Sequence, residues 1–439
     1  MNTQLVQTKI NMSKTTKTIL IVVSIIIIIS LIIFGIFFFR KDLADVGIIS
    51  DERSEKLSFF GFISDNDFGL LPGGKDVEDE DVENMDIIDV EKAKLPNLRM
   101  ISSGPVAGAT WLKKTIITDI ITETEEERVF TRFMKRETGH VYDTDIITME
   151  ERRVSNTTIP KVHEVLWGGS GTQAIVRYFD EESREIKSFS GSIEYDEVIQ
   201  EGSLNGVFLP DNISNLSVSQ DKERIFYLID EQSSVLGTTS NLDGSKKIQI
   251  FDFQFTEWLP QWIGNYIFMT TKPSFGVKGY LYSLSKNSGT MERILGNVFG
   301  LTTLVDNSGE NILYSESTQG GFSLYLFNIE GGSTERVPFE TLPEKCVWSE
   351  DGIKIYCAVP SFIPRMDYPD TWYKGVVSFT DNIWVFDTKT KTLDVLAEIE
   401  TSTNTKMDIT KLFLDEDGEY LFFTNKKDRS LWVLELTTE

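Results

Sequence analysis

One spacing recurs along this chain and restricts its fold more than any other feature. An apolar residue stands four positions before a turn glycine, or its equivalent, and another stands three positions after it. Trp348, Gly352 and Ile355 form one copy, and Val305, Gly309, Ile312 and Leu414, Gly418, Leu421 form two more. Val218, Lys222 and Ile225 fit with Lys in the glycine's place. Trp262–Phe268 is a shortened version, and Trp167, Gly171 and Ala174 a weaker one. Turn residues such as Ser349-Glu350-Asp351-Gly352 bond their own backbone, and Gly accepts positive φ, so each copy reads as a β-hairpin.

A further apolar element follows the later hairpins at Leu281–Leu284, Leu324–Phe327, Ile383–Phe386 and Leu431–Leu434. A polar turn and a short fourth strand come next, as in Glu335-Arg336-Val337-Pro338 or Met291–Ile294. The aromatic marks Phe133, Tyr178, Tyr227, Phe268, Tyr314, Tyr356 and Phe423 lie 45, 49, 41, 46, 42 and 67 residues apart. Four-stranded repeats of about 40–45 residues read as the blades of an all-β propeller. Seven blades account for residues 98–439, with a long insertion in the penultimate one; six or eight blades stay open as counts. The last unit lacks a fourth strand, and Leu98-Arg99-Met100-Ile101 matches the missing pattern. It is expected to close the ring and leave no open edge.

These repeats, with a turn Asp-Gly before a buried strand and a Leu-Tyr strand after it, resemble those of TolB-like propellers. The Trp-Asp dipeptide of the related WD-repeat propellers is absent. The resemblance covers about residues 98–439 and implies an envelope protein that docks other proteins. The chain departs from TolB itself in its N-terminus and in showing no separate N-terminal globular domain.

The chain holds only two cysteines, Cys346 and Cys357, on either side of one hairpin turn. If Trp348 faces Ile355, Cys346 faces Cys357, and opposed Cβ atoms lie about 4.5–5.5 Å apart, near what a disulfide needs. A disulfide fits an oxidising compartment; the alternative is two thiols packed as small apolar groups. Ile19–Phe39 is an uncharged run of 21 residues. At about 1.5 Å per residue it spans the roughly 30 Å hydrocarbon core. It is too long for an ordinary signal-peptide core and lacks a clean cleavage site. Three lysines precede it and Arg40 and Lys41 follow, which favours the N-terminus inside. The expected organisation is a cytoplasmic tail over 1–18, a transmembrane signal anchor over 19–39, an acidic tether over 40–97 and the propeller over 98–439. The body is thus expected outside the cytoplasm, on the cell membrane.

Charge narrows the partners. The chain carries −25. Its first 41 residues hold five basic and no acidic residues, which leaves −30 for the remainder. Such a body repels nucleic acid and anionic lipid. Asp76–Glu83 has six acids in eight positions, a density that extends a chain.

No catalytic motif emerges. The two histidines, His140 and His163, fall in different units. Trp167-Gly168-Gly169-Ser170-Gly171-Thr172 lacks the last glycine of a nucleophile elbow. Asp415-Glu416-Asp417-Gly418 has the wrong register for a calcium loop. No His/Cys cluster suggests a metal, and no cofactor motif appears. An open alternative is a carbohydrate-active or other hydrolase using a carboxylate pair at the channel mouth. The first expectation is a non-enzymatic scaffold for an envelope protein or a cell-wall glycan. Its candidate binding residues are Trp258, Phe275, Met366, Tyr368, Trp372 and Tyr373. They sit on blade-joining loops or on loops between second and third strands, which share one face of a propeller. The two long loops are 272–279 and 358–382. Aromatic residues and Met are typical interface anchors, although the same residues can pack over the channel mouth.

Overall fold

A hairpin buries its apolar flank only if its register is right, since a slip of one residue turns every side chain to the other face. In the computed structural model, which describes residues 97–119, 124–196 and 200–436, Trp348 faces Ile355 and Cys346 faces Cys357. The same pairing joins Val305 to Ile312, Leu414 to Leu421, Val218 to Ile225, and Trp167 to Ala174. The described residues belong to the compact unit Val90–Glu439.

They form seven four-stranded antiparallel sheets, a seven-bladed β-propeller. Blades 1 to 6 run Val106–Arg153, Val162–Phe208, Ile213–Phe253, Trp258–Phe299, Thr302–Arg336 and Cys346–Ala397. Blade 7 takes three strands from Ile409–Glu435, and its fourth is Leu98–Ser102. That strand pairs Leu98 with Leu434 and Arg99 with Val433, and Arg99 forms an ion pair with Glu435 at 2.8 Å.

Position within a blade sets how apolar a strand must be. Second strands lie between neighbouring blades and are buried on both faces, as in Ile225–Leu228 and Leu421–Phe423. They therefore read as continuous apolar runs rather than alternating ones. Outer strands such as Glu151–Arg153 and Ser333–Arg336 are exposed throughout. First strands pack on one another between blades 1 and 2, 2 and 3, 3 and 4, and 6 and 7. Gly108 is needed there, because a Cβ would stand 2.2 Å from the Val165 carbonyl oxygen of the next blade.

Cys346 and Cys357 are disulfide-bonded, with Cα atoms 4.1 Å apart. They pack with Leu313, Trp348 and Phe386 between blades 5 and 6. The bond closes a short loop, which in the chain-entropy account stabilises by about 3 kcal/mol. In denaturant, no thiol is expected to react until reductant is added. The double change Cys346→Ala, Cys357→Ala is expected to lower the urea-unfolding free energy by about 2–3 kcal/mol. A free thiol in the untreated chain would remove the bond.

The apolar run 19–39 and nearly all of the acidic stretch lie outside the described residues. Among the described residues, no helix is long and apolar enough to cross a membrane.

Candidate binding face

Residues 361–380 interrupt blade 6 between its second and third strands and contain one helical turn, Asp370–Tyr373. The insertion is fixed to several neighbouring blades. Ser317 Oγ of blade 5 donates to the Tyr368 carbonyl at 2.6 Å. Ser274 Oγ of blade 4 donates to Asp370 Oδ1 at 3.0 Å, and the Phe275 amide donates to the same carboxylate. Lys426 of blade 7 lies 3.8 Å over the Trp372 ring and donates to its carbonyl. Burial lowers the Lys426 amine to about 8.

Beneath the insertion lies a charge cluster without solvent contact. Lys345 is 0% exposed, and its ammonium spends all three protons inside the protein. It donates to Asp381 Oδ2 at 2.8 Å, to Asp408 Oδ1 at 2.7 Å and to the Ile409 carbonyl at 2.8 Å. Asp408 also accepts from Trp372 Nε1, Ser378 Oγ and the Phe379 amide, at 3.0, 3.1 and 3.1 Å. Among the described residues Asp381 Oδ1 has no hydrogen-bond partner. Two carboxylates share one cation, and their environments separate them. Burial acts to raise Asp408, but the charge of Lys345 and the surrounding donors outweigh it and hold the carboxyl low. Burial dominates at Asp381 and pushes its carboxyl up.

The six aromatic and Met residues singled out above divide evenly. Tyr368 and Trp372 are buried: Tyr368 packs on Phe322 and Phe379, and Trp372 stacks on Phe379 at 6.4 Å. Trp258 is buried between blades 3 and 4, ringed by Phe251, Phe253, Phe255 and Tyr282. Its indole nitrogen donates to the Phe255 carbonyl at 2.7 Å. Phe275, Met366 and Tyr373 are exposed. The same loops expose Val277 together with Phe362, at 74%, and Val376, at 65%, none of which stood out in the sequence.

The remaining sequence features have local roles. His140 shares a hydrogen bond with Thr158 at 3.0 Å. Gly169–Gly171 is a tight turn inside the hairpin of blade 2. Asp415 accepts from the Tyr420 amide across its own turn, and Lys113 bridges Glu416 and Asp417. Among the described residues, no three His, Cys, Asp or Glu side chains stand close enough to share a metal ion.

No family model matches the chain, and no curated protein matches it by sequence. Among solved structures it is similar to an oligogalacturonate lyase from Vibrio parahaemolyticus (TM-score 0.48, 10% identity, 76% of this chain and 98% of that one). It is similar to tricorn protease (TM-score 0.45, 12% identity, 78% of this chain and 34% of that one). It is also similar to TolB from Acinetobacter baumannii (TM-score 0.39, 12% identity, 75% of this chain and 80% of that one). These neighbours include the TolB and tricorn protease β-propellers.

Proposed function

We propose that this β-propeller is anchored in the membrane by residues 19–39, held outside the cytoplasm on the acidic stretch 40–97, and works as a non-enzymatic scaffold for an envelope protein. The observation that carries the reading is the set of apolar side chains on pinned loops: Phe275, Val277, Phe362, Met366, Tyr373 and Val376 are all exposed. Exposed apolar groups clustered on one pair of loops favour a protein interface. Their loops are tied to the blades by Asp370 and Tyr368, so little ordering entropy opposes docking. The cross-strand disulfide supports an oxidising compartment. The hydrolase alternative needs a carboxylate pair open to substrate. The pair that shares Lys345, Asp381 and Asp408, is fully buried and bonded to that lysine.

The test is cross-linking of the full chain in its own envelope, with sites mapped by mass spectrometry, beside the variant Phe362→Ser, Val376→Ser. We expect one dominant partner linked within residues 361–380 and lost in the variant, with an unchanged melting temperature because both side chains are exposed. Capture that survives the variant would sink the reading. Retention on cell-wall polymer, with no protein partner, would move the assignment to a glycan binder.

A further inference from the structure

The face over blades 7, 1 and 2 runs against the charge of the whole chain. A cavity of 820 Å³ there is lined by Arg136, Lys161, Lys427 and Arg429 with Glu137, Asp428 and His163; Lys161 is ion-paired with Glu181, which leaves three cations facing two carboxylates in a chain of −25. The blade junctions fix both arginines through their backbones. The Arg136 amide donates to the Pro105 carbonyl at 2.9 Å, and the Arg136 carbonyl accepts from Val162 at 2.9 Å. The Arg429 carbonyl accepts from Val106 at 3.0 Å. Lys161 and Arg429 also hold left-handed backbone, with φ of 57° and 62°. Most residues avoid that region unless their surroundings impose it.

Among the described residues neither guanidinium makes an ion pair. The carboxylate that acts on Arg429 is Glu164, itself shared by Lys411 at 3.6 Å and Arg177 at 3.5 Å. Burial, then the charge of Arg136, holds Arg429 below its usual value. Like charges gathered without enough counter-charge cost free energy that a bound anion recovers. A planar guanidinium suits an oxyanion, because two of its N–H groups can bond it together.

Pro160, Lys161 and Phe179 also line a second, adjoining cavity of 600 Å³, where Tyr178, Phe189 and Phe208 stand with Asp180, Glu181 and Glu182. Phe179 and Phe208 are exposed, and Phe189 meets Phe208 edge-on at 5.2 Å. Volumes of this size suit small-molecule ligands.

We propose that this double cavity binds a small ligand with an oxyanionic head and an apolar body, the head held by Arg136 and Arg429 and the body lying over Pro160 and Phe179. The site uses other blades than the apolar loops of the docking face, so either assignment can fail without the other.

The test is calorimetric titration of the full chain, in neutral detergent at low salt, with phenyl phosphate, inorganic phosphate and phenol. Phenyl phosphate is expected to bind saturably, more tightly than inorganic phosphate, and phenol not at all. Arg136→Gln and Arg429→Gln are each expected to weaken it by about tenfold or more, the value of a charge-assisted hydrogen bond. Phe179→Ser is expected to weaken phenyl phosphate and leave inorganic phosphate unchanged. No saturable binding, or equal affinity in the folded double arginine variant, would overturn the proposal. Equal affinity for the two phosphates would overturn its apolar half.

Discussion

Lys345→Met is expected to lower the unfolding free energy by about 3–5 kcal/mol, the cost of leaving buried charge without its partner. The side chain volume is nearly kept, so the loss comes from charge. Asp381 and Asp408 are both fully buried and share this one ammonium. Without it, among the described residues, Asp381 keeps the Ile409 amide, at 2.6 Å, and Asp408 keeps its donors from Trp372, Ser378 and Phe379. Asp381, which burial already raises, is then pushed further above its unfolded value, and Asp408 loses the charge that does most to hold it low. A carboxyl raised in the folded state penalises folding as pH rises above its unfolded value, and that penalty disappears in acid. The deficit of Lys345→Met relative to the native chain is therefore expected to be larger at pH 8 than at pH 5. Urea unfolding at both pH values measures it. Adding Asp381→Asn and Asp408→Asn to the same variant should recover part of the loss. Equal deficits at both pH values would show that packing, not charge, explains the effect.

Replacing Leu98–Ser102 by Gly and Ser residues in the full chain is expected to cost roughly 5 kcal/mol or more. The strand contributes a row of ladder hydrogen bonds to Leu431–Leu434 and buries Ile101 against Phe133 and Phe422. Each net bond adds about 1 kcal/mol and each buried apolar side chain about 1.5–3 kcal/mol. Its loss also uncovers Leu431–Glu435 as an open edge, which invites pairing between molecules. A lowered urea midpoint with a concentration-dependent loss of soluble monomer would be the signature. An unchanged midpoint would mean that blade 7 stands on three strands. A peptide spanning residues 96–104 added in trans should recover part of the stability.

The blades were legible because their signals are local. The interval from Trp348 through Gly352 to Ile355 fixes a turn and a register together. The disulfide follows from that register, since Cys346 and Cys357 sit one pair beyond Val347 and Tyr356. Loops have no such period. Nothing in the spacing of Tyr368, Trp372 and Tyr373 distinguishes the first two, which are buried, from the third, which is exposed. Trp258 likewise lies at the start of a strand and turns inward to the seam between blades 3 and 4. Lys345 was hidden more deeply. In Glu344-Lys345-Cys346 a lysine reads as a solvated turn residue, because its carboxylates arrive from positions 381 and 408. The cations Arg136 and Arg429 are almost three hundred positions apart and become neighbours only because the ring is closed.

Closure also sets an order of events during synthesis. The closing strand is among the first parts of the propeller to be made, and the Arg99–Glu435 contact spans 336 positions. At about 5–20 residues per second, Leu98–Ser102 waits roughly 20–70 s for its partner to be translated. Through that interval six blades can assemble in sequence while the first-made strand stays unpaired. The ring can close only once Leu431–Glu435 has been made, so a chain that stops before it leaves Leu98–Ser102 as an unmatched edge.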